Sequence, residues 1–404
     1  MKKIWTLEEL YRDFQIEYIP HTFPAVYEEG VALYREGYPF LDPDYFRAYN
    51  QKYDVFHKYT DIIIEAGQLL AKNDQLLFFV CILSRAVLRF GVYDIVCDLT
   101  LPSTQDPAWK LAYDFAPLYA LLPSIERTVE RMKARNIPQQ VIHDTLSAYE
   151  GSISTVEHRF GYPGYTGTKF SWMQLTVNNQ ILSIGRLQYE LQDSFTGRIC
   201  AFRNKEGEIR ILAENLTAHP TGMGARYHGL PQTDDAFHCQ VTETNSCYEG
   251  YPVNSDGYII RQKISLPKDT WEKFLSPGDP VVSIHIPRGS SFAAQEIEAS
   301  LTEAKRIFRE CYPDFGYKAM FCHSWLMDPQ LTDLIKPDSN IAAFRKNFVF
   351  YPYEESDADD VFVFVFSRRY DNLADLPEDT SLMRNLKKHY LDGGYIYVTG
   401  GILK

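Results

Sequence analysis

Val281-Val-Ser-Ile-His-Ile-Pro-Arg-Gly-Ser-Ser-Phe292 decides how the second half of this chain folds. Val281, Ser283 and His285 alternate with Val282, Ile284 and Ile286, the period of a strand. Pro287 and Gly289 then break the pattern. Beyond them Ala294, Ile297, Leu301, Ala304, Phe308 and Cys311 step by three and four, while Glu296, Glu298, Glu303, Arg306 and Arg309 fall mostly elsewhere, as in an amphipathic helix. Tyr317 to Cys322 reads as a strand again. Strand, crossover helix and strand predict a parallel pair. The turn aims backbone N–H groups and the positive end of a helix dipole at one point, which suits a phosphate. Ile286, Pro287, Arg288, Gly289, Ser290 and Ser291 are therefore the candidate phosphate-binding residues: Gly289 permits close approach, Arg288 adds charge, and Ser290 or Ser291 can cap the helix. An ordinary strand-to-helix turn with a serine cap has the same appearance, and one glycine is less specific than a dinucleotide fingerprint.

Outward from this unit, the pattern continues with a helix over Ser339–Asn347, strands over Phe348–Tyr351 and Val361–Phe366, a helix over Thr380–Leu391 and a last strand over Tyr395–Val398. On the other side, Arg186-Leu-Gln-Tyr-Glu-Leu191 alternates strictly, and Ile199–Phe202 and Ile209–Leu212 form a hairpin around Lys205-Glu-Gly207. A strand is expected over Tyr258–Leu266 and a short helix over Trp271–Leu275. Before about residue 158 the apolar spacing is helical. Helices are predicted over Pro107–Leu122, Ser124–Arg135 and Pro138–Tyr149, and the apolar density of Asp61–Phe90 marks it as core. Turn-formers crowd Phe160–Thr168, so the boundary is placed just ahead of them. The fold class is α+β: a helical domain over 1–158, without chemistry of its own, and a mixed-sheet domain over 159–404.

The 404 residues exceed one ordinary core of roughly 100–200 residues. A net charge of −12 argues against nucleic acid as a partner. Seven scattered cysteines make a poor disulfide framework and suit a reducing compartment. After Met1-Lys2-Lys3 the apolar Ile4-Trp5 gives way at once to Thr6 and then Glu8-Glu9, so no apolar core of a leader is expected, and the longest apolar run, Leu76–Leu83, is far short of the ~20 residues a membrane helix needs. A cytoplasmic protein with no membrane partner is expected; its oligomeric state is not legible.

His285 is the first candidate base. It shares a face with Ser283 at the C-terminal end of its strand, where ligands of open α/β sheets bind, and imidazole accepts protons near neutral pH. His323 and Ser324 end the neighbouring strand and are candidates to converge on it; histidines bonded to backbone in the core would look the same. No Gly-x-Ser-x-Gly elbow accompanies Ser324. Asn340, after Asp338 and Ser339, is a candidate cofactor contact or a member of an N-cap cluster. Arg226 and His228, in the loop Gly222-Met-Gly-Ala-Arg-Tyr-His-Gly-Leu-Pro231, are candidates to line an acceptor pocket. His228, His238, Cys239 and Cys247 lack metal-ligand spacing, and no metal is expected. The acidic run Glu354–Asp360 reads as a solvated hairpin loop.

The pairing of Val281–Gly289 with Phe321-Cys-His-Ser-Trp-Leu-Met-Asp-Pro-Gln-Leu331 and Pro337-Asp-Ser-Asn-Ile341 resembles bacterial GNAT-like acyltransferase-domain proteins, in which a helical N-terminal domain precedes a GNAT-like C-terminal domain. The resemblance implies a mixed sheet whose fourth and fifth strands run parallel and splay, with an acyl-CoA or acetyl-CoA substrate between them. It puts the pyrophosphate on Ile286–Ser291, although only Gly289 stands where that family usually carries two small residues. The implied activity is an N-acyltransferase moving an acyl group from a CoA thioester to an amine by direct attack, its partners a small-molecule acyl donor and an amine acceptor. A non-catalytic acyl-CoA or nucleotide-binding sensor module is the alternative, because the family's glutamate base and its tyrosine acid have no evident counterpart.

Overall fold

A computed structural model describes residues 2–16, 21–91, 101–288 and 291–404. The chain divides into two compact units, Met1–Ile184 and Gly185–Lys404. It is α+β, as expected. The sequence boundary at 158/159 lies inside a helix that runs Gln139–Phe160; the turn-formers only close that helix, with Gly161 left-handed at φ 80°, and one further helix follows them.

The first unit consists of helices α1 (Leu7–Asp13), α2 (Phe23–Glu36), α3 (Pro43–Tyr53), α4 (Thr60–Leu70), α5 (Asp74–Phe90), α6 (Pro107–Leu121), α7 (Ser124–Ala134), α8 (Gln139–Phe160) and α9 (Gly167–Val177), and ends in strand β1 (Ile181–Ile184). Their starts are written in the chain. Thr6 and Glu9 form a capping box on α1, Asp42 caps α3 ahead of Pro43, Asn73 caps α5, and Asp106 caps α6 ahead of Pro107. Every residue from Leu76 to Leu83 in α5 is buried. Gly30 of α2 meets this helix where a Cβ would stand 2.9 Å from the Ile82 Cα, so the two backbones cross at a distance only glycine allows.

In the second unit the strands are β2 (Leu187–Gln192), β3 (Ile199–Asn204), β4 (Ile209–Ala213), β5 (Leu216–Ala218), β6 (Arg226–Tyr227), β7 (Phe237–Cys239), β8 (Thr242–Glu243), β9 (Cys247–Gly250), β10 (Ile264–Pro267), β11 (Trp271–Leu275), β12 (Val281–His285), β13 (Ala319–Ser324), β14 (Phe348–Tyr351), β15 (Glu355–Ser356) and β16 (Thr399–Leu403). Five strands of the main sheet belong to this unit, in the order β2-β12-β13-β16-β14. β12 and β13 are parallel and joined through α10 (Ala294–Cys311); the other pairs in this series are antiparallel. Helices α11 (Leu331–Leu334), α12 (Asn340–Arg345), α13 (Asp360–Phe364) and α14 (Ser381–Leu391) lie between β13 and β16 in the chain.

One face of the sheet carries Leu187, Tyr189, Val282 and Ile284, and α10 lies against it: the Tyr189 ring meets Phe308, and its hydroxyl is 2.8 Å from the Ser300 Oγ. The other face carries Val281, Ala319, Phe321, Tyr351 and Ile402. There it packs on Phe195 and on Ile199, Ala201, Ile211 and Leu275 of the β11-β3-β4 sheet. Burying each such large side chain contributes on the order of 1.5–3 kcal/mol. This second layer covers the start of the parallel strands and leaves their C-terminal ends as the open end of that face.

Four elements differ from the sequence expectation. Trp271–Leu275 is a strand paired with β3, not a helix, because Leu275 is drawn into the shared core and the pairing tolerates an irregularity between Lys273 and Leu275. Val361–Phe366 is a continuous apolar run expected as a strand, yet Asp360–Phe364 is a short helix, α13, and no strand pairs with it among the described residues. The last strand is Thr399–Leu403 instead of Tyr395–Val398: the Tyr397 and Val398 N–H groups are diverted to Asp328 Oδ2 and Ser356 Oγ, while Gly400 and Gly401, poor strand formers, take the ladder. In the Tyr258–Leu266 stretch, only Ile264 onward is strand.

Gly400 sits between His323 on β13 and Tyr351 on β14, and a Cβ there would fall 2.1 Å from the fully buried Tyr351 ring. Gly400→Ala is expected to cost about 1–3 kcal/mol through overpacking. Urea denaturation measures it, and an unchanged midpoint would show that the ring has room to move.

Candidate active site

The shared ladder of β12 and β13 runs Val281↔Ala319, Val282↔Met320, Ser283↔Phe321 and stops. Each strand nevertheless continues. β12 stays paired with β2 as far as His285↔Gln188, and β13 with β16 through His323↔Gly400 and Ser324↔Thr399. The two parallel strands therefore part after Ser283 and Phe321. His285 and His323 each lie two residues past the last shared pair, so strand periodicity puts them on one face, on opposite arms of the fork.

A carboxylate joins them that sequence reading did not single out. Glu190 stands opposite Ser283 on β2, and its Oε2 is 2.7 Å from His285 Nε2. The Glu190 side chain is 15% exposed and that of His285 27%, and Gln192 Nε2 donates to the same Oε2 at 3.0 Å. Because a carboxylate only accepts, this hydrogen bond assigns a proton to His285 Nε2. A carboxylate that accepts from one ring nitrogen orients the ring and stabilises the cation formed when the other nitrogen takes a proton. The signal was present as the polar register of Arg186–Leu191, but the strand partner that brings Glu190 to His285 was not.

On the other arm, the His323 ring stacks on Tyr353 with centroids 4.1 Å apart and planes at 28°. Its surface is solvent-accessible, yet enough protein surrounds it that burial, with repulsion from His285 second, lowers its pKa to about 4. The ring is therefore neutral at physiological pH. Burial raises the Tyr353 phenol to about 12, and its hydroxyl is 3.5 Å from that of the buried Tyr351. A protonated phenol thus lies over a neutral imidazole.

Of the other predicted residues, Ser324 does not join this group: it follows His323 onto the alternate face, and its Oγ accepts the Leu326 N–H at 3.2 Å, capping a short 3-10 turn. In the turn expected to receive a phosphate, Ile286 and Pro287 are partly buried and Arg288 is exposed, while Gly289 and Ser290 lie outside the described residues. Helix α10 begins at Ala294 with no side-chain cap; the expected serine cap is replaced by Ser291 Oγ accepting the Ala293 N–H at 3.2 Å, and Arg186 Nε donates to the Ser291 carbonyl at 2.8 Å. Asn340 is exposed in the first turn of α12 (Asn340–Arg345), whose cap is Ser339. Phe344 of α12 packs on Phe292 with centroids at 5.1 Å, which brings Asn340's helix to the turn.

Behind β13, buried Asp328 and Arg345 brace the segment that follows the fork. Asp328 accepts the Tyr397 N–H at 2.6 Å and the Gln330 N–H at 2.8 Å; Arg345 donates to the carbonyls of Leu326 and Asp328 and to Thr332 Oγ1. Burial raises the Asp328 carboxyl to about 6 and lowers the Arg345 guanidinium to about 10.

Comparison with known proteins adds a family. The GNAT-like C-terminal domain matches residues 181–403. The chain belongs to that family. Among curated proteins none matches. Among solved structures, this GNAT-like chain is similar to an acyltransferase in complex with decanoyl-CoA (20% identity, TM-score 0.63, 98% of each chain covered). It is also similar to an acyltransferase with decanoyl-CoA and teicoplanin (16%, 0.64, 98% of each). A third, an acyltransferase mutant with octanoyl-CoA, is 17% identical with a TM-score of 0.58, covering 89% of this chain and 87% of that one.

In the GNAT-like unit, the glycine-rich loop runs beside the fork. Tyr227 Oη accepts the Tyr353 N–H at 3.0 Å, Arg226 pairs with Glu355 at 3.2 Å, and the exposed His228 meets the Tyr395 ring edge-on at 4.9 Å. His228, His238, Cys239 and Cys247 do not gather into a metal-binding group. A surface depression lined by Arg203, Phe274, Lys305, Lys318 and Lys404 includes Ala319, so it lies at the start of the parallel strands, at the opposite end from the fork.

Two groups near the fork titrate in one pH window with opposite signs. His323 binds its proton more weakly folded than unfolded, so stability falls as pH drops from about 6.5 to about 4; Asp328 binds its proton more tightly folded, so stability rises as pH drops from about 6 toward 3.8. His323→Gln is therefore expected to gain stability relative to wild type on acidification from pH 6.5 to 4. Melting curves across that range test it, with imidazole NMR: a His323 ring that titrates near 6.5 would exclude the cleft environment.

Proposed function

We propose that this protein is an acyltransferase that takes its acyl group from an acyl-CoA thioester and delivers it to an amine by direct attack. The observation that carries the reading is the fork between β12 and β13, with the Glu190–His285 pair on one arm and neutral His323 under Tyr353 on the other. The amine nitrogen forms the bond to the thioester carbon, the carbon–sulfur bond breaks, and His285 takes the ammonium proton, which ends on the CoA sulfur. Neutral His323 offers an N–H to the carbonyl oxygen as charge develops there, and the Tyr353 phenol a hydrogen bond to the leaving sulfur. Holding both substrates in the fork supplies the orientation.

The diphosphate is assigned to the turn from Ile286 to Ser291 and the start of α10, with Arg288, Gly289 and Ser290 as further contacts and Asn340 beside them. Arg226 and His228 are assigned to the acceptor side. The relatives carry decanoyl-CoA or octanoyl-CoA, so a medium-chain acyl-CoA is the first donor to try, and one relative also holds teicoplanin, which makes glycopeptide amines the first acceptors. Ser324, as a cap, is assigned a positioning role behind His323. A cytoplasmic location is proposed from the scattered cysteines of the sequence; no helix among the described residues is long and apolar enough to cross a membrane.

Acetyl-, octanoyl- and decanoyl-CoA are expected to raise the melting temperature, because a ligand of the folded state stabilises it. Thiol release from the preferred donor in the presence of an amine is expected to fall about 10²–10⁴-fold in His285→Ala, the range typical of a lost general base, with the melting shift retained. Glu190→Gln should lose less, since the ring keeps a partner. Stabilisation by CoA without thiol release across an acceptor panel would make the protein a binding module; no stabilisation by any CoA would remove the proposal.

A further inference from the structure

The helical unit carries a cluster that the acyl-transfer reading does not use. Asp54, at the C-terminal end of α3, His57, in the turn to α4, and His143, on α8, bring one carboxylate oxygen and two ring nitrogens within 4.8 Å of one another. Asp54 Oδ2 is 3.3 Å from His143 Nε2 and Asp54 Oδ1 is 3.7 Å from His57 Nδ1. We infer that these three side chains bind a divalent transition-metal ion of the zinc class.

Mutual attraction does not explain the gathering, because the side chains are 66%, 57% and 38% exposed and ion pairs so exposed contribute little. The backbone collects them instead. Asp54 is left-handed at φ 54°, which turns the chain sharply out of α3. Asn50 holds the next residues: its Oδ1 accepts the Val55 and Phe56 N–H groups at 3.2 and 2.8 Å, and its Nδ2 donates to the Phe56 carbonyl at 2.6 Å. Glu150, two turns along α8 from His143, accepts the N–H groups of His57, Lys58 and Tyr59 on a single oxygen, at 2.8, 2.7 and 3.3 Å. The turn is thus tied at both ends, once to α3 and once to the helix that carries His143.

Two imidazoles and a carboxylate are a borderline donor set that suits zinc, and less so magnesium or calcium, which take oxygen ligands. A tetrahedral ion with bonds of about 2.0–2.2 Å leaves one position for water, and the exposed side chains need only rotate inward to reach it. His143 also has the outer partner that metal-bound histidines use: its Nδ1 is 3.4 Å from Asp144 Oδ1, which Gln140 Nε2 holds at 2.8 Å. Bound there, the ion clips the α3–α4 turn to α8.

The test uses the full chain stripped with a chelator. Zinc sulfate is expected to raise its melting temperature, and Co(II) to give the visible d–d absorption of a tetrahedral nitrogen–oxygen site, with no such shift from Mg²⁺ or Ca²⁺. His143→Ala and His57→Ala should each raise the zinc Kd at least tenfold, and Asp144→Asn about 10–100-fold as an outer-shell loss. His285→Ala should leave it unchanged. His57 lies in an exposed turn, so that variant stays informative if His143→Ala folds poorly. The absence of a zinc shift in wild type, or an equal shift in the His57→Ala/His143→Ala double variant, overturns the inference.

Discussion

The parallel pairing of β12 with β13, and its termination at Ser283 and Phe321, is the constraint on which the second unit depends. A parallel pair needs a long crossover, and α10 supplies it, covering one face of the sheet through Ile297, Leu301, Ala304 and Phe308. The other face is held at the strand starts by Phe195, Val281, Ala319 and Phe321. With the strands bound together at one end and paired only to their outer neighbours at the other, they open where no second layer fills the gap. The fork is then a consequence of where packing stops.

Within that fork, two histidines of identical chemistry meet different surroundings. His285 has a carboxylate 2.7 Å from its Nε2, which fixes the orientation of its ring. His323 is surrounded by protein and has a second imidazole nearby; burial first and that neighbour second lower its pKa to about 4. A ring held neutral by burial can donate a hydrogen bond without itself exchanging a proton. The same logic keeps the Tyr353 phenol protonated.

Much of this was legible in the residues. The alternation of Val281–Ile286 and the three-four spacing of Ala294–Cys311 are local patterns, and local patterns survive folding. His285 and His323 were recognisable because each ends a readable strand. Glu190 was not, because its role depends on register with β12, a non-local property that a polar residue in an alternating strand does not reveal. Tyr353 is one of 28 tyrosines and gains meaning only from the ring it covers. Trp271–Leu275 and Val361–Phe366 failed for the reason that strand assignment needs a partner: the first found one, and the second did not.

The short reach of local pattern also explains why the last strand was misplaced, and that error points to how the site is braced. Tyr395–Val398 reads as a strand by composition, but a buried carboxylate takes the Tyr397 amide and a serine the Val398 amide. Diverting these two residues delays the ladder until Thr399, so that Gly400, with no side chain of its own, is the residue beside His323. Any larger residue would meet the Tyr351 ring, whose hydroxyl approaches that of Tyr353. Asp328 therefore acts on the fork from behind: by setting where β16 begins, it sets which residue stands next to His323 and leaves the space in which the two tyrosines lie.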